Sequence, residues 1–528
     1  MMATRRKLLT LAAATPAAAL PRRAAAQAER HLRIGLAGAV TSLDPHALLL
    51  TPNQAVAAHF FDTLVGRDEA QRPVPKLATS WRAVDDLTWE FALRPGVTFH
   101  DGSPCEAEDV VATLDRVNNY PSGPALFRSN IRGVVGVQAV DAMTLRVSSA
   151  APDPTIPINL SSIAVISRRF RSAPAAAFNG GEALIGTGPF RPAGFVPGDR
   201  IAMRRNDAYW DGASPWSGVT SRLVSDNAAR VAGLLTGELD VIENLSPENF
   251  DRIRATPGLS IAGVDSGRVM FVTLDQGRDQ SPDITDADGR PLAGNPLADA
   301  RVRRAMSLAI DREALVSRIM GGEGSPAGQL VAEQFLGASP NLPAEKPDPA
   351  RARALLAEAG YPRGFGLTLY GPRDRYRNDA SLVQAVAQMF TRIGIRTRAE
   401  VLPWLRLNPA AIARQYSAVL FGWATNTGEA GAMLGPLLES HDAGIGRGVR
   451  NDGRYANPAF DALLQRAAAT IDRDRRGALL AEAAELAAPD CPILPLLFLR
   501  TSWGVRDSIV FSGRADEFTL AMSARPRG

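Results

Sequence analysis

Short alternating runs and longer helical runs of apolar residues follow one another from residue 31 to the end of the chain. His31–Leu36 alternates, with Leu32, Ile34 and Leu36 apolar, and predicts a strand. Thr41-Ser42-Leu43-Asp44-Pro45 then reads as a turn. Residues 53–64 set Val56, Phe60, Phe61 and Leu64 at helical spacing. Residues 81–91, where Leu87, Trp89 and Phe91 alternate, predict a strand, and Val97 and Phe99 continue in extended form after a turn at Pro95-Gly96. Ser103-Pro104-Cys105-Glu106 has the form of a capping box with proline at the first helical position, and residues 107–117 predict the helix that follows.

Strand patterns dominate residues 134–148 and 189–205. A helix is expected over 227–238, and strands over 240–242 and 269–274. Residues 301–321 read as helical, with Asp311 placed to cap a second helix. Asp348-Pro349 opens a helix that Gly360 closes, a cap and stop pair with a clear mechanism. Further strands are expected over 366–370, 396–401, 417–421 and 492–498, with helices over 380–393 and a helical pair from Asn457-Pro458 to residue 486. Helices and strands interleave throughout, so the expected class is α/β with mixed sheets.

Residues 1–28 stand apart from this pattern. A basic head with Arg5, Arg6 and Lys7, an apolar run over 8–20 and the small-residue end Ala26-Gln27-Ala28 predict a secretory signal that is removed on export. The run is shorter than the roughly 20 residues that a bilayer span needs. Arg5-Arg6 directly before it, with Arg22-Arg23 after it, resembles a twin-arginine signal; a general secretory signal is the other reading. No cysteine follows the expected cut, so the remainder is expected to be free in the periplasm, without a lipid anchor. The segment carries five basic residues and no acid, so the net charge of +4 for the whole chain becomes −1 for residues 29–528. That removes a nucleic-acid footprint. Hydrophobic residues make up 45% of the chain, an ordinary globular value, and no later run approaches 18 apolar residues.

The motifs of catalysis are missing from the sequence. There is no His-Glu-x-x-His, Cys-x-x-Cys or phosphate-binding Gly-Lys-Ser/Thr loop. Gly263-Val264-Asp265-Ser266-Gly267 lacks the spacing of a nucleophile elbow, and Gly444-Ile445-Gly446-Arg447-Gly448 reads as a surface loop. No two of the five histidines lie at i, i+4, and His100-Asp101-Gly102 reads as a turn, so neither a metal nor a cofactor is expected. Cys105 and Cys491 sit in apolar surroundings typical of buried free thiols, with a disulfide in an oxidising compartment as the other reading.

One stretch is specific. Pro75-Lys-Leu-Ala-Thr-Ser-Trp81, Thr88-Trp-Glu-Phe-Ala-Leu-Arg-Pro-Gly-Val-Thr-Phe-His-Asp-Gly102 and Ala107-Glu-Asp-Val-Val111 resemble the family-5 extracellular solute-binding proteins of ABC importers, the oligopeptide-, dipeptide- and nickel-binding group. Gly186-Thr-Gly-Pro-Phe190, Tyr209-Trp210, Leu234-Leu-Thr-Gly-Glu-Leu-Asp-Val241, Asp299-Ala-Arg-Val-Arg-Arg-Ala305, Ala309-Ile-Asp-Arg312 and Gly422-Trp423 continue the resemblance in order.

The resemblance implies a two-lobed periplasmic binding protein fold of type II, with an extra subdomain and a hinge between lobes. The first lobe is expected at 29–272 plus 500–528, with the subdomain over about 65–185, and the second at 273–499. The hinge would lie near Thr273 to Gln276 and Leu499 to Ser502. The function implied is capture of a peptide-like solute in the inter-lobe cleft and delivery to the permease subunits of an importer, by a monomer. Opines, sugars and metal chelates are alternative solutes; a ligand-presenting sensor and, remotely, a secreted hydrolase are alternative roles.

The resemblance also suggests site residues. Thr41 and Ser42 match a first-lobe loop facing the cleft. Arg375, or Arg373, is the candidate for a ligand carboxylate, with a solvated turn as the other reading. Glu429 is the candidate for a ligand ammonium, or else a structural loop glutamate, and Asn426 stands where relatives often carry Asp. Trp423 either stacks on the ligand or fills the second lobe, and Trp404 is read as core.

Overall fold

The computed structural model describes residues 30–425, 427–444 and 446–527; the expected export signal and Asn426 lie outside the described residues. A mixed sheet of twelve strands runs through the molecule. Its middle is an antiparallel pair, Leu259–Leu274 and Ile493–Arg506, in register from Leu259 opposite Arg506 to Thr273 opposite Ile493. On one flank lie Val241–Ile242, His31–Leu36, Gly218–Leu223, Arg200–Arg205 and Phe190–Val196 in spatial order. On the other lie Ala418–Ala424 and Gly366–Pro372, the latter paired in parallel with Arg396–Leu402.

Buried apolar residues divide along this sheet. Leu32, Ile34, Phe60, Phe190, Val241 and Trp503 share one cluster. Met270, Val272, Leu369, Val386 and Leu494 share a second, and Phe271, Phe421, Leu434, Leu480 and Phe498 a third, on the sheet's opposite face. Alternation along Val269–Val272 sends successive side chains to the second and third clusters. The two central strands thus cross from one body to another. Val264 still packs with the first cluster, whereas Val269 packs with the third, and the strand register is irregular between Asp265 and Val269. The change of core partner along this strand thus lies between Val264 and Val269, ahead of the segment Thr273 to Gln276 where the hinge was expected.

A separate four-stranded antiparallel sheet, ordered Ala78–Asp85, Thr88–Leu93, Thr144–Ser149 and Val134–Asp141, packs with the helix Ala107–Asn118 around its own core of Phe91, Val110, Leu114, Leu145 and Val147. What was expected as one strand over 81–91 is a hairpin. Asp85 accepts from the Leu87 backbone N–H at 2.8 Å, and Leu87 sits in the turn, 43% exposed. The following helix is capped by Glu106, with Asp109 Oδ2 accepting from the Glu106 N–H at 2.9 Å; the Ser103 hydroxyl instead donates to Asp101. The helix expected over 53–64 is Thr51–Phe60. It stops because tertiary partners claim the backbone: the Phe60 carbonyl accepts from Gly188, and the Asp62 carbonyl accepts from Val165.

The motif residues converge on Asp62, which has no solvent exposure. Its carboxylate accepts from Thr187 Oγ1 at 2.9 Å, Tyr209 Oη at 3.1 Å and Trp210 Nε1 at 2.9 Å, and lies 3.1 Å from Lys76 Nζ. Gly186 and Gly188 pass so close to the Phe60 backbone that neither position has room for a Cβ. The 186–190 motif is thus a packing seam between the first helix and the subdomain.

Three buried histidines are each held through both ring nitrogens. His46 Nε2 donates to the Ala164 carbonyl while Nδ1 accepts from Arg116. His59 Nδ1 donates to Ala55 O while Nε2 accepts from the Ala521 N–H, and His100 Nε2 donates to Gly188 O while Nδ1 accepts from the Gly186 N–H. Each ring thus holds one proton, and burial pushes the pKa of each down to about 4. Both cysteines are buried free thiols.

Candidate functional site

Two loops approach one another where the central strands cross. In the first body, the turn after the strand Val65–Arg67 is shaped by Asp68, whose carboxylate accepts from the Ala70 and Arg72 N–H groups. The C-terminal segment 514–518 is bound to that turn. Arg514 Nη2 donates to the carbonyls of Arg67 and Asp68 and holds Asp516 Oδ2 at 2.6 Å, while the Ala515 N–H donates to Glu69 O at 2.9 Å. In the second body, the strand Ala418–Ala424 runs into Thr425, whose N–H donates to Gly267 O at 3.2 Å. The Gly267 N–H in turn donates to Ala515 O, so Gly267 links the two sides.

Between them is a cavity of about 260 Å³ lined by Arg67, Gln71, Ser162, Arg268, Thr425, Asp516, Glu517 and Phe518, with Leu49, Gln54 and Asn130 at its edges. Arg67 Nε donates to Ser161 Oγ at 2.6 Å, Nη1 to Gln71 Oε1 at 3.1 Å and Nη2 to Ser162 Oγ. Burial pushes its pKa down to about 10, against the pull of Asp516, so the guanidinium stays charged at neutral pH. Arg268 Nε faces Glu517 Oε1 at 3.4 Å. Burial opposes its charge, but Glu517, followed by Tyr376, raises its pKa on balance. The Arg67 guanidinium and the Glu517 carboxylate line the same cavity, which suits a ligand that carries both signs of charge.

The two bodies also touch beside the cavity. Gly428, at φ +66°, lies so close to Gln71 that a Cβ would stand 3.0 Å from its carbonyl oxygen. Ile471, between two second-body helices, packs on the subdomain core.

The residues expected from the sequence lie elsewhere for the most part. Thr41 is exposed, and Ser42 is buried with its hydroxyl donating to Asn179 Oδ1 at 3.2 Å. Arg373 and Arg375 are exposed, and the Arg375 guanidinium stacks over Trp404 at 5.3 Å. The third arginine of that turn, Arg377, points inward, its Nη1 donating to Arg500 O at 3.4 Å. Trp423 is half-buried under Arg450, adjacent to the lining residues Ala424 and Thr425, and Trp404 packs on the second-body core as expected. Glu429 is buried and forms a two-point ion pair with Arg476. This geometry fits the structural alternative for Glu429, since both its oxygens are engaged by a guanidinium. The cavity-lining charges Arg67, Arg268, Asp516 and Glu517 were not among the residues expected from the sequence, where their only signal was their charge.

Ser266 is fully buried and its Oγ accepts from the Arg268 N–H at 3.3 Å, so the hydrolase alternative has no accessible nucleophile there. Among the described residues, no group of three or more His, Cys, Asp or Glu could hold a metal ion, and no helix is long and apolar enough to cross a membrane.

Two packed bodies joined by crossing strands, with a charged cavity between them, define a two-lobed solute-binding protein. A family model for bacterial extracellular solute-binding proteins, family 5 (middle), matches residues 72–444, and the chain belongs to that family. It is a binding component of ABC importers, not an enzyme. It is 28% identical over 513 residues to the glutathione-binding protein GsiB of Salmonella paratyphi A, covering 94% of this chain and 93% of that one. HbpA2 from Haemophilus parasuis superposes with a TM-score of 0.82 at 22% identity, covering 94% of this chain and 100% of that one. The periplasmic binding protein DppA from Helicobacter pylori, in complex with the peptide STSA, superposes with a TM-score of 0.73 at 20% identity over 94% and 98% of the two chains.

Proposed function

We propose that this protein captures a peptide or peptide-like solute in the periplasm and that the cavity at Arg67 and Glu517 is where it binds. The observation that carries the reading is that a buried, hydroxyl-supported guanidinium and the Glu517 carboxylate line one inter-lobe space. In this reading Arg67 takes the ligand carboxylate, the role first given to Arg375 or Arg373. Glu517 takes the ammonium, the role first given to Glu429, while Asp516 is held through both oxygens by Arg514. Trp423 belongs to the second-lobe wall, beside the lining residues Ala424 and Thr425, and Thr41 and Ser42 support the first lobe. The expected export signal at residues 1–28 would deliver the chain to that compartment as a monomer free of the membrane.

The expected lobes were residues 29–272 with 500–528, and residues 273–499; the proposed lobes place the first crossing between Val264 and Val269, so that the first ends near Val264 and the second begins near Val269. The change of core partner along that strand supports the shift.

Glutathione, a tripeptide with one ammonium and two carboxylates, is the first ligand to try, because a relative aligned over nearly the full length is named for binding it. Isothermal titration against glutathione, dipeptides, tripeptides, opines and sugars tests the proposal. Saturable binding of a peptide, lost in Arg67→Met, supports it. Binding confined to sugars or opines overturns the peptide reading.

A further inference from the structure

The second lobe contains another cavity, of about 280 Å³, that shares no lining residue with the inter-lobe site. It lies among the helices Ala300–Ala309, Gly431–Leu438 and Arg473–Ala487 and the start of the strand Ile493–Arg506. Its walls are mainly apolar, with Leu330, Leu342, Leu434, Leu438, Ala484 and Ile493 among them.

Its charged groups do not cancel. Arg304 and Glu345 neutralise each other through two bonds of 2.5 Å and are both partly exposed. Arg312 also lines the cavity, is 3% exposed, and belongs to no ion pair among the described residues. Its Nε donates to Pro495 O, Nη1 to Ser307 O and Nη2 to Ser307 Oγ, leaving two of its five N–H groups without a protein acceptor. Arg230 makes a useful contrast. It too is buried without an acid in contact, but all five of its N–H groups are bonded, four to backbone carbonyls and one to the Asn227 side-chain amide. It has donors for nothing else. Arg303 is as short of acceptors as Arg312, but lines neither cavity. A buried cation with spare donors, facing an apolar space, favours an anion that brings its own apolar body. Cys491 adds a soft wall; burial raises its thiol pKa, so it brings no competing negative charge at neutral pH.

We propose that this cavity is a second ligand site, for a small monocarboxylate with an aliphatic body, its carboxylate on Arg312 and its chain among the leucines. A six-carbon acid is small enough for a space of about 280 Å³.

Titration calorimetry of the purified protein with hexanoate, hexan-1-ol and hexylamine tests this. Hexanoate is expected to bind at least about ten-fold more tightly than either analogue. Arg312→Gln should bring hexanoate down to the level of the alcohol. Ala488→Phe, at a half-exposed lining position, should abolish binding while sparing the fold, and so keeps the test decisive if Arg312→Gln does not fold. Equal binding of acid and alcohol, no binding of hexanoate up to about 10 mM, or undiminished binding in Ala488→Phe each overturns the proposal.

Discussion

Glu429 and Arg476 meet in a buried two-point pair, Oε1 to Nη2 at 2.8 Å and Oε2 to Nε at 3.2 Å. Arg476 Nη1 also caps the carbonyls of Thr470 and Ile471, so the pair fastens the 425–430 loop to the helix Arg473–Ala487 and to the turn that carries Ile471. Ile471 reaches the other lobe's subdomain, so this ion pair shapes the surface that meets it.

Breaking that pair from one side leaves a stranded buried charge. Glu429→Gln should lower stability by about 3 kcal/mol, and the double replacement Glu429→Leu/Arg476→Met should recover most of the loss. The urea midpoint reads this directly. A chain of two lobes need not unfold in one step, so midpoints are safer than extrapolated free energies.

Glu517→Gln should behave in the opposite way. Glu517 is surface-accessible enough to lose its charge at little structural cost, yet it faces the cavity and Arg268. Affinity for a peptide with a free N-terminus should fall about ten-fold or more, with little change in the thermal midpoint. An N-acetylated peptide should be insensitive to the change. A large thermal shift with unchanged affinity would assign Glu517 to structure instead.

Gly428 needs its hydrogen. Valine there would strain a left-handed backbone, at about 1 kcal/mol or more, and push against Gln71 across the cleft. Gly428→Val should weaken ligand binding by about ten-fold and give a larger radius of gyration with ligand in small-angle scattering. Each lobe should keep its fold, as judged by an unchanged far-ultraviolet circular dichroism spectrum.

His46, His59 and His100 impose a pH dependence on stability. Each is neutral when folded, with its pKa depressed to about 4 by burial, against 6.5 when free. Between those values the unfolded chain binds more protons, so stability falls as pH drops from about 6.5 towards 4. Above that window these groups contribute no slope. Each histidine adds a slope of about 1.4 kcal/mol per pH unit within it. Urea midpoints at pH 7.5, 6.0 and 5.0 should decline in that order, and His59→Gln should make the decline shallower.

Local chemistry was legible wherever a few neighbouring residues settle the conformation. The strand His31–Leu36 has the limits its alternation predicts, and Asp348 caps its helix by accepting from the Arg351 N–H while Gly360 closes it at φ +93°. Asp311 likewise accepts from the Ala314 N–H, although the expected continuous helix is interrupted there. The hairpin turn at Asp85 to Thr88 was not legible, because Leu87 continues the alternation although it is exposed in a turn. The early stop at Phe60 was not legible either, because its cause, Gly188, is 128 positions away.

The sequence by itself determined the class of this protein: an α/β chain with the motifs of a family-5 solute-binding protein. Those motifs are readable because they fold the same seam wherever they occur, as Lys76, Thr187, Tyr209 and Trp210 do around Asp62. Only the tertiary structure decided which charges face the inter-lobe cavity. Arg67, Arg268 and Glu517 are spread across 450 positions and meet because the first lobe's turn, the crossing strand and the C-terminal segment converge. Glu429 and Arg375 carry the right charges near the right motifs, yet one is engaged by Arg476 and the other lies over Trp404. A charge's role depends on what surrounds it in space, and spacing along the chain does not encode that.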